Sequence, residues 1–465
     1  MGSMKVDELA LEALRAGMRG AVLTSQDEGY DDARRVWNGS IQKYPAVIAR
    51  CSGTADVVAA VRFAHETAVE VAIRGGGHNI AGLGVCDDGL MIDLSLMKGV
   101  HVDPRARIAH VQGGCVGADV DRATQLYGLA VPTGVISSTG IAGFTLGGGF
   151  GWMSNAYGLA CDNLLEVEVV TAAGEVVRAS EEENADLFWA LRGGGGNFGI
   201  VTSFTFRLHE LGPTVLSGLL AYPLDAIEDA LAAFHGFMAS APEEVFGLAV
   251  LRNAPPAPFL PADIVGKPIL ALALVHAGSV TEGERALAPM RAHGTPIADA
   301  VAPRPYVQMQ SLFDAGAAPG FQNYWKSQFV DRVDDKSIAL LTEHLRTMSS
   351  PISDTKFAFL GGAVSRVGRD ETAYGHRPAR WILNINSRWD DPAESGDHIA
   401  WTRSYWDAMQ PFYGEGVYVN FLGDEGGGRV EEAYERAVFE RLVAVKNTWD
   451  PANFFHINQN IRPST

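Results

Sequence analysis

The sequence predicts an α+β protein of at least two domains, and three observations support this. Its 465 residues are about three times the length of a typical domain of about 150 residues. Apolar residues make up 47% and charged residues 20%, which is ordinary globular composition and excludes a disordered, collagen-like or coiled-coil chain. Helical spacing and short strand patterns are mixed along the chain, and no internal repeat is present.

The first part of the chain mixes helices and strands around a glycine run. Thr54 to Ala64 has helical spacing, with Thr54 as the N-cap. Val69 to Ile73 is a short apolar strand that leads directly towards Gly75-Gly76-Gly77. A hairpin is predicted with its turn at residues 172–174. Ile200 to Leu208 alternates like a half-buried strand.

Pro213 marks a change in composition, since the glycine clusters do not continue beyond it. We therefore expect units at residues 1–212, 213–416 and 417–465. The middle unit is predicted to be α+β. Its expected helices are 224–238, 281–292 and 335–347, and its expected strands are 246–251, 268–276, 356–361 and 381–389. A charged helix near 430–446 and a tail rich in proline and asparagine are expected to end the chain.

The charge balance limits the partners of the chain. A net charge of -18 repels phosphate backbones and anionic lipids, so neither nucleic acid nor a membrane is an expected partner. No stretch approaches about 18 consecutive apolar residues, so no membrane-spanning helix is expected. A small-molecule substrate remains the expected partner, and the sequence leaves the oligomeric state open.

The cysteines predict neither a metal site nor disulfides. Cys51, Cys86, Cys115 and Cys161 show no C-x-x-C spacing, which argues against zinc and against a disulfide framework. Free thiols are typical of a reducing cytosol. The first residues of the sequence also lack an apolar signal region, so we expect a cytoplasmic protein without a metal.

Glycine is the informative excess. The chain has 52 glycines, above the usual share of about 7%, and they cluster at 75–77, 147–151 and 193–196. A strand followed by Arg74-Gly-Gly-Gly-His78 suggests a phosphate-binding loop, because successive backbone N–H groups can form an anion-binding nest. It matches neither the Rossmann nor the Walker pattern. A purely structural turn is the alternative.

The glycine motifs belong to a longer ordered series. The segments that form it are Arg74–Asn79, Gly128–Gly134, Thr139–Gly151, Tyr157–Asn163, Asp186–Thr202, Tyr418–Phe421 and Trp449–Ile461. Their order and spacing resemble the berberine-bridge-enzyme-like family of FAD-linked oxidases, within the vanillyl-alcohol-oxidase type of flavoproteins, and especially its bacterial branch. The resemblance covers nearly the whole chain.

The resemblance implies a bipartite PCMH-type FAD-binding domain at 1–212 with an inserted α+β substrate domain at 213–416, whose antiparallel sheet lies over the flavin. The segment 417–465 would return to the FAD domain. Main-chain amides would bind the FAD pyrophosphate, and glycines would let the dinucleotide lie against the backbone. The implied cofactor-binding residues are Arg74, Gly75, Gly76, Gly77, His78, Asn79, Gly134, Thr139, Gly140, Gly143, Gly147, Gly148, Gly149, Gly199, Val201, Tyr418 and Asn420.

His78 stands where the family attaches FAD covalently. A neutral imidazole nitrogen can attack the electrophilic form of the flavin 8α carbon, so the resemblance implies a covalent link through His78. Members with two links carry a cysteine where this chain has Ile136, so we expect a monocovalent flavin. Without the resemblance, a structural histidine or a metal ligand is the simpler interpretation of His78.

Two further positions bear on the chemistry. Thr139 falls where the family places a small residue that gates dioxygen beside the flavin, which favours an oxidase; a loop threonine bonded to local backbone is the alternative. Asn384 lies in the alternating segment 381–389, at a position that is often Gln or Glu in the family. Asparagine cannot act as a base, and a solvated edge strand is the alternative there.

Tyr418 matches the family's Tyr-x-Asn motif together with Asn420. A phenol with an ordinary pKa near 10 is a poor base unless a nearby cation lowers that pKa. Lys326 and Arg377 are the candidate cations, although Tyr418 could simply be a packed aromatic residue and Lys326 a surface lysine. The aromatic residues expected to form a pocket for a flat substrate are Tyr324, Trp325, Tyr374 and Trp152.

The function that the resemblance implies is an FAD-dependent oxidase. A hydride would pass from a C–H next to O–H or N–H of a small aromatic, heterocyclic or secondary-metabolite substrate to flavin N5, and dioxygen would be reduced to hydrogen peroxide. Tyr418 or water would take the proton, and Asn384, Thr139 and Lys326 would assist. The alternatives are an oligosaccharide oxidase, which Ile136 argues against, and a flavin-binding reductase or non-catalytic flavoprotein.

Overall fold

The structure of the protein is a computed structural model that describes residues 7–464. The elements before Pro213 are α1 (Glu8–Gly17), β1 (Val22–Leu23), α2 (Tyr30–Arg34), β2 (Val47–Arg50), α3 (Thr54–Thr67), β3 (Val71–Arg74), β4 (Leu90–Asp93), β5 (Val100–Asp103), β6 (Ile108–Gln112), α4 (Gly117–Thr124), β7 (Leu129–Ala130), α5 (Ile141–Leu146), α6 (Ser154–Tyr157), β8 (Leu164–Val170), β9 (Val176–Ser180), α7 (Ala185–Leu191), β10 (Ile200–Arg207) and β11 (His209–Glu210).

Two main sheets organise this part. The first has the order β1-β2-β4-β3, with β2 and β3 both parallel to β4. Helix α3 connects β2 to β3, because parallel strands need a crossover. The second sheet is antiparallel, in the order β5-β6-β10-β8-β9. β8 and β9 form the hairpin that the sequence predicts.

The middle of the chain supplies a larger sheet with helices. Its elements are β12 (Thr214–Pro223), α8 (Ile227–Ser240), β13 (Val245–Asn253), β14 (Pro268–His276), α9 (Val280–Arg291), β15 (Ala298–Asp299), β16 (Ala302–Pro305), α10 (Tyr306–Gln310), β17 (Gln322–Val330), α11 (Asp335–Arg346), β18 (Asp354–Phe359), α12 (Ala363–Arg366), β19 (Trp381–Trp389) and α13 (Ser395–Met409). The α+β class is confirmed.

The large sheet is antiparallel and is covered on both faces. Its order is β15-β12-β14-β13-β18-β19-β17, with β16 also paired to β12. One face packs on α8, α9, α11 and α13 in a single apolar cluster. The other face packs on residues of the first part, among them Phe150 and Trp152, and on Tyr418. The sheet is therefore held between its own helices and the part of the chain that carries the glycine motifs.

Two strands are more buried than the sequence pattern predicts. β10 is buried at nearly every position, not half-buried, because it lies between β6 and β8 in the centre of its sheet. β19 has the predicted bounds, and all of its residues are buried. The alternative of a solvated edge strand is wrong for β19, since β17 and β18 pair with its two edges.

The last part of the chain contains two helices where the sequence predicts one. They are α14 (Gly427–Glu432) and α15 (Arg436–Trp449), so the expected helix near 430–446 is interrupted at residues 433–435. The buried Ala433 and Tyr434 pack in the same apolar cluster as α7. This segment thereby returns to the first part of the chain.

A buried ion pair fixes the end of the chain to the first part. Lys446 on α15 is fully buried, and its Nζ donates to Asp450 Oδ2 at 2.7 Å, to the carbonyl of Asn197 at 2.7 Å and to that of Phe455 at 3.0 Å. All three N–H donors of the ammonium are thus used. Asp450 in turn accepts from the backbone N–H groups of Phe454 and Phe455.

The four cysteines are buried and unpaired in the structure. Within residues 7–464, no helix is long and apolar enough to cross a membrane.

Replacing Lys446 by Met is expected to lower the free energy of unfolding by about 3–5 kcal/mol, because it leaves Asp450 and two carbonyls buried without their donor. Arg436→Met is the matched control, since Arg436 forms an i,i+4 pair with Glu440 on the same helix but is 93% exposed. Thermal unfolding followed by tryptophan fluorescence compares the two variants. Equal midpoints would show that Lys446 does not stabilise the fold.

Candidate active site

The loop after β3 presents a row of free backbone donors. Among the described residues, the N–H groups of Gly75 through Asn79 donate to no protein acceptor. Gly77 has φ +70°, a left-handed conformation that lets neighbouring N–H groups converge on one point. The side chain of Arg74 turns away from this row, bonding to the carbonyl of Ala33 and lying with its Nε 3.8 Å from Asp93. The loop can therefore bind an anion through its main chain.

A second glycine segment closes against this loop. A Cβ at Gly76 would lie 2.5 Å from the backbone N of Gly140, so the two main chains touch and neither position has room for a side chain. Gly143, on the exposed side of α5, has no protein atom within 4 Å of where its Cβ would stand. Main chain and open space thus line this groove, as an extended dinucleotide requires.

His78 lies at the end of the row of free donors. Its ring stacks on Trp37 with centroids 5.2 Å apart, and its Nε2 is 3.0 Å from the hydroxyl of Ser138. Burial lowers the pKa of His78 to about 4; the nearby Asp314 opposes this effect and Arg388 adds to it. The imidazole is therefore neutral at physiological pH, the form in which a ring nitrogen can act as a nucleophile.

Thr139 joins the two glycine segments. Its backbone N–H donates to Ile136 at 3.2 Å and its carbonyl accepts from Gly117 at 3.0 Å. Its hydroxyl has no hydrogen-bond partner among the described residues, so the alternative of a side chain bonded to local backbone is not supported. Asn79 does use its side chain locally, accepting from the N–H of Leu83 at 3.1 Å.

The other glycines of the predicted set are close to protein atoms. A Cβ would meet Phe144 at Gly134 and at Gly149, Asn420 at Gly147, Tyr374 at Gly148, and Val169 at Gly199. Val201 is buried in the core of the second sheet. Packing therefore explains the small residues at these positions, and a contact between them and the cofactor stays a prediction.

Tyr418 and Asn420 form one hydrogen-bonded unit. The Tyr418 Oη accepts from the N–H of Gly149 at 3.0 Å and from Asn420 Nδ2 at 2.8 Å. Asn420 Nδ2 also donates to the carbonyl of Phe144 at 3.0 Å, which fixes the orientation of the amide. Burial raises the pKa of Tyr418 well above its ordinary value, although both donors favour the ionised form. The phenol is neutral at physiological pH.

The structure does not bring the two candidate cations to the Tyr418 hydroxyl. Lys326 pairs with Glu425 and lies 4.7 Å from the ring of Trp406 on α13. Its partner in the sheet register is Ile385, whose side chain packs with the helices, so Lys326 lies on the opposite face from Asn384. Its side chain is also largely buried, which excludes a surface lysine.

Arg377 has a partner of its own. Its guanidinium binds Asp162 with N···O distances of 2.6 and 2.8 Å and lies 4.9 Å from the ring centroid of Tyr374. Tyr374 separates it from Tyr418, since the two tyrosine rings are 6.1 Å apart. Its charge is thus neutralised one ring away from the phenol.

A series of aromatic rings connects the two ends of the site. Tyr418 contacts Phe421 at 5.0 Å, Phe421 contacts Trp325 at 5.7 Å, and Trp325 contacts Trp37 at 5.7 Å, each measured between ring centroids. Trp37 stacks on His78 in turn. Trp325 lies in this wall, its indole N–H has no partner among the described residues, and its role in a substrate pocket stays a prediction.

Asn384 lies on the sheet face that is turned towards this wall. It is 2% exposed, and its buried Oδ1 has no hydrogen-bond partner among the described residues. Ile382, two residues earlier on the same face, packs in the cluster that contains Tyr418. A buried amide without partners is costly, so Asn384 is available to a ligand.

Sequence reasoning missed Trp37, Ser138 and Arg388. Arg388 could have been found, because it shares the alternation of β19 with Asn384, and its guanidinium lies 5.3 Å from the ring of Trp37. Trp37 carries no local signal, since only the folded loop places it on His78.

Comparisons with known proteins agree with this geometry. A family model described as an FAD binding domain matches residues 45–180, and one described as berberine and berberine like matches residues 417–462. (R)-6-Hydroxynicotine oxidase of Paenarthrobacter nicotinovorans is 30% identical over 457 residues, which cover 96% of this chain and 97% of that protein. The chain belongs to the berberine-bridge-enzyme-like family of FAD-linked oxidoreductases.

Solved structures confirm the fold of this FAD-linked oxidoreductase. The crystal structure of 6-hydroxy-D-nicotine oxidase from Arthrobacter nicotinovorans matches with a TM-score of 0.87 at 28% identity, covering 96% of this chain and 98% of that one. Xylooligosaccharide oxidase from Myceliophthora thermophila C1 matches with a TM-score of 0.85 at 24% identity, covering 98% and 99%, a likeness that shows the fold alone. The PCMH-type fold and FAD as cofactor are confirmed; the residue roles stay predictions.

Gly143→Ala is expected to leave the apoprotein at least as stable, because the added methyl meets no protein atom and alanine favours a helix by about 1 kcal/mol. It should nevertheless lower FAD occupancy, read as the ratio of flavin to protein absorbance, if the cofactor occupies the groove. Gly236→Ala is the matched control, since Gly236 lies on α8 with equal free space. Full occupancy in Gly143→Ala would place the cofactor elsewhere.

Proposed function

We propose that the protein is an FAD-dependent oxidase with a flavin attached through His78 alone. Bound FAD supplies the hydride acceptor, with dioxygen as the final oxidant and hydrogen peroxide as product. The observation that carries the proposal is the juxtaposition of a neutral, half-buried His78 with the free N–H groups of Gly75 through Asn79. A pyrophosphate on those donors and a flavin ring beside His78 would use both.

The substrate side favours a small flat molecule with an oxidisable C–H next to O–H or N–H. The wall formed by Trp37, Trp325, Phe421 and Tyr418 offers ring faces and edges to an aromatic or heterocyclic substrate. Asn384, on the sheet face opposite, can donate to or accept from the polar group that is oxidised. Ile136, which packs near Trp37, leaves no thiol for a second link.

Tyr418, which is a neutral phenol, orients the substrate. Both acceptor positions of its Oη are filled by Gly149 and Asn420, so its own O–H is left to donate. With its pKa raised by burial and no cation beside it, it does not serve as a phenolate. The proton released from the substrate then leaves to water, and Thr139, whose hydroxyl is free, would stand beside the flavin edge that dioxygen approaches.

Acid precipitation tests the attachment. The wild-type pellet should remain yellow, and the tryptic peptide that contains His78 should be heavier by one FAD. His78→Ala should release its flavin on acidification, whereas His101→Ala, a histidine on exposed positions of β5, should keep it. An acid-stable flavin in His78→Ala would refute the attachment site, and a colourless wild-type protein from flavin-replete cells would refute the function.

Tyr418→Phe is expected to lower kcat about 10- to 100-fold, because it removes one hydrogen bond to the substrate and leaves the Gly149 N–H without an acceptor. FAD content should be unchanged. Peroxide formation is measured with the best substrate from a panel of aromatic alcohols and amines. Tyr434→Phe is the control, since the Tyr434 Oη donates to the carbonyl of Gly193 outside the aromatic wall.

The pH profile of kcat in the wild type distinguishes a neutral hydrogen-bond donor from a phenolate base at Tyr418. Because its pKa is raised, the phenol stays protonated as the pH rises through about 10, the ordinary value for tyrosine. No rise of kcat near that pH is therefore expected. Such a rise, lost in Tyr418→Phe, would instead identify a phenolate base.

A further inference from the structure

Six polar side chains form a row on the sheet face that is turned towards the aromatic wall. In the register, Arg252 is opposite Asp354, Lys356 is opposite Asn384, and Asp354 is opposite Asn386. Residues directly opposite one another in a sheet share a face. Arg388 follows on the same face of β19. We call this set the polar patch: Arg252, Asp354, Lys356, Asn384, Asn386 and Arg388.

The polar patch carries an excess of positive charge. It has three cations and a single carboxylate, in a chain whose net charge is -18. Asp354 binds Lys356 Nζ and accepts from Asn386 Nδ2 at 2.9 Å. Burial lowers the pKa of Arg388, with Asp354 opposing the shift and Arg252 adding to it. A single carboxylate thus lies among three cations in a largely buried region.

The guanidinium groups of the polar patch keep most of their donors free. Arg388 Nε donates to Asn323 Oδ1 at 3.0 Å, and Arg252 Nε donates to the carbonyl of Asn253 at 3.2 Å. The terminal nitrogens of both guanidiniums donate to no acceptor among the described residues. Arg388 is only 9% exposed and Arg252 is half-buried, so the two guanidinium groups do not lie on the open surface.

Two polar groups beside the cations are also without partners. The buried Oδ1 of Asn384 has no partner among the described residues, and Asn386 keeps its Oδ1 unpaired while its Nδ2 donates to Asp354. Buried polar groups are nearly always satisfied in native proteins. The free guanidinium donors indicate a ligand with anionic oxygens, whereas the two unpaired Oδ1 atoms call for a donor such as an O–H or N–H of the same ligand.

The polar patch lies over the active site. At about 3.3 Å per residue, the segment from Asn384 to Arg388 spans about 13 Å, comparable to a fused aromatic ring system. Its Arg388 end reaches Trp37, which stacks on His78, and its other end adjoins Ile382 and the cluster of Tyr418. A molecule bound to the patch is therefore held against the aromatic wall.

We propose that the substrate is an aromatic carboxylic acid whose carboxylate binds to Arg252, Lys356 and Arg388. This rests on the proposed function and names its substrate class. A planar carboxylate can accept paired N–H groups from a guanidinium, and one such anion offsets half of the excess charge of the patch. The ring would lie against Trp37 and Trp325, and the Asn384 amide would bond to the group that is oxidised.

Isothermal titration of the holoprotein with benzoate and with benzamide tests the proposal without turnover. These probes share a ring and a planar head group but differ in charge. Benzoate should bind at least about tenfold more tightly, and its affinity should fall with added salt, whereas that of benzamide should not. Equal affinities, or no binding of benzoate up to its solubility limit, would overturn the proposal. Inorganic phosphate bound more tightly than benzoate would replace the carboxylate with a phosphate group and overturn it too.

Variants of the polar patch test where benzoate binds, and they are expected to change its affinity in opposite directions. Arg388→Gln and Arg252→Gln should each weaken benzoate about tenfold and leave benzamide unchanged. Asp354→Asn should strengthen benzoate, since it removes the only negative charge of the patch. Arg285→Gln, an exposed arginine on α9, is the control and should change neither. Parallel losses for both probes in the arginine variants would mean general damage to the site and would overturn the assignment.

The two proposals fail in different ways. Equal binding of benzoate and benzamide would refute only the carboxylate assignment if the flavin is acid-stable and peroxide forms from neutral substrates. A colourless protein that still prefers benzoate would refute the proposed oxidase function and support the anion-binding site.

Discussion

The contact between the main chains of Gly76 and Gly140 is the constraint on which the site depends. It holds the loop after β3 against the start of α5 at a distance that no side chain permits. That approach places Ser138 on the imidazole of His78 and leaves the N–H groups of the loop facing outwards. The free donors proposed to bind the cofactor and the position of the proposed attachment residue thus both follow from one steric fact, which glycine alone satisfies.

Electrostatics divides the molecule into two regions with opposite requirements. Over the whole chain acidic residues outnumber basic ones, and the net charge is -18. The sheet face over the aromatic wall gathers Arg252, Lys356 and Arg388 around the carboxylate of Asp354. Burying like charges costs folding energy, and the ligand proposed for this face would offset that cost.

Much of the fold could be predicted from local pattern. Strands β14 and β19 have the predicted bounds, because β14 is an apolar run between Pro268 and His276 and β19 alternates between Trp381 and Trp389. The interruption before α15 could not be predicted, since Ala433 and Tyr434 fit a helix locally and leave it only to pack against the first part of the chain. The burial of β10 likewise depends on its two neighbours in the sheet, which its own sequence does not specify.

The candidate site shows the same difference between what local sequence pattern predicts and what depends on tertiary contacts. The glycine run and His78 are contiguous in sequence, so motif reasoning reached them. Tyr418 lies in a sequence motif as well. Lys326, in contrast, is turned by the alternation of β17 to the side of the sheet that the helices cover, and only the pairing of strands shows this. Trp37 and Arg388 meet His78 through tertiary contacts alone.

The clamp formed by Lys446 has a consequence for biosynthesis. The loop that contains Asn197 leaves the ribosome long before residues 446–461, yet Lys446, Gln459 and Ile461 supply its hydrogen-bond partners. Domains generally fold in order during translation, so this half of the glycine-rich framework stays incomplete until residues 446–461 have been synthesised. A nascent chain stalled before residue 446 would therefore lack the brace that completes the framework.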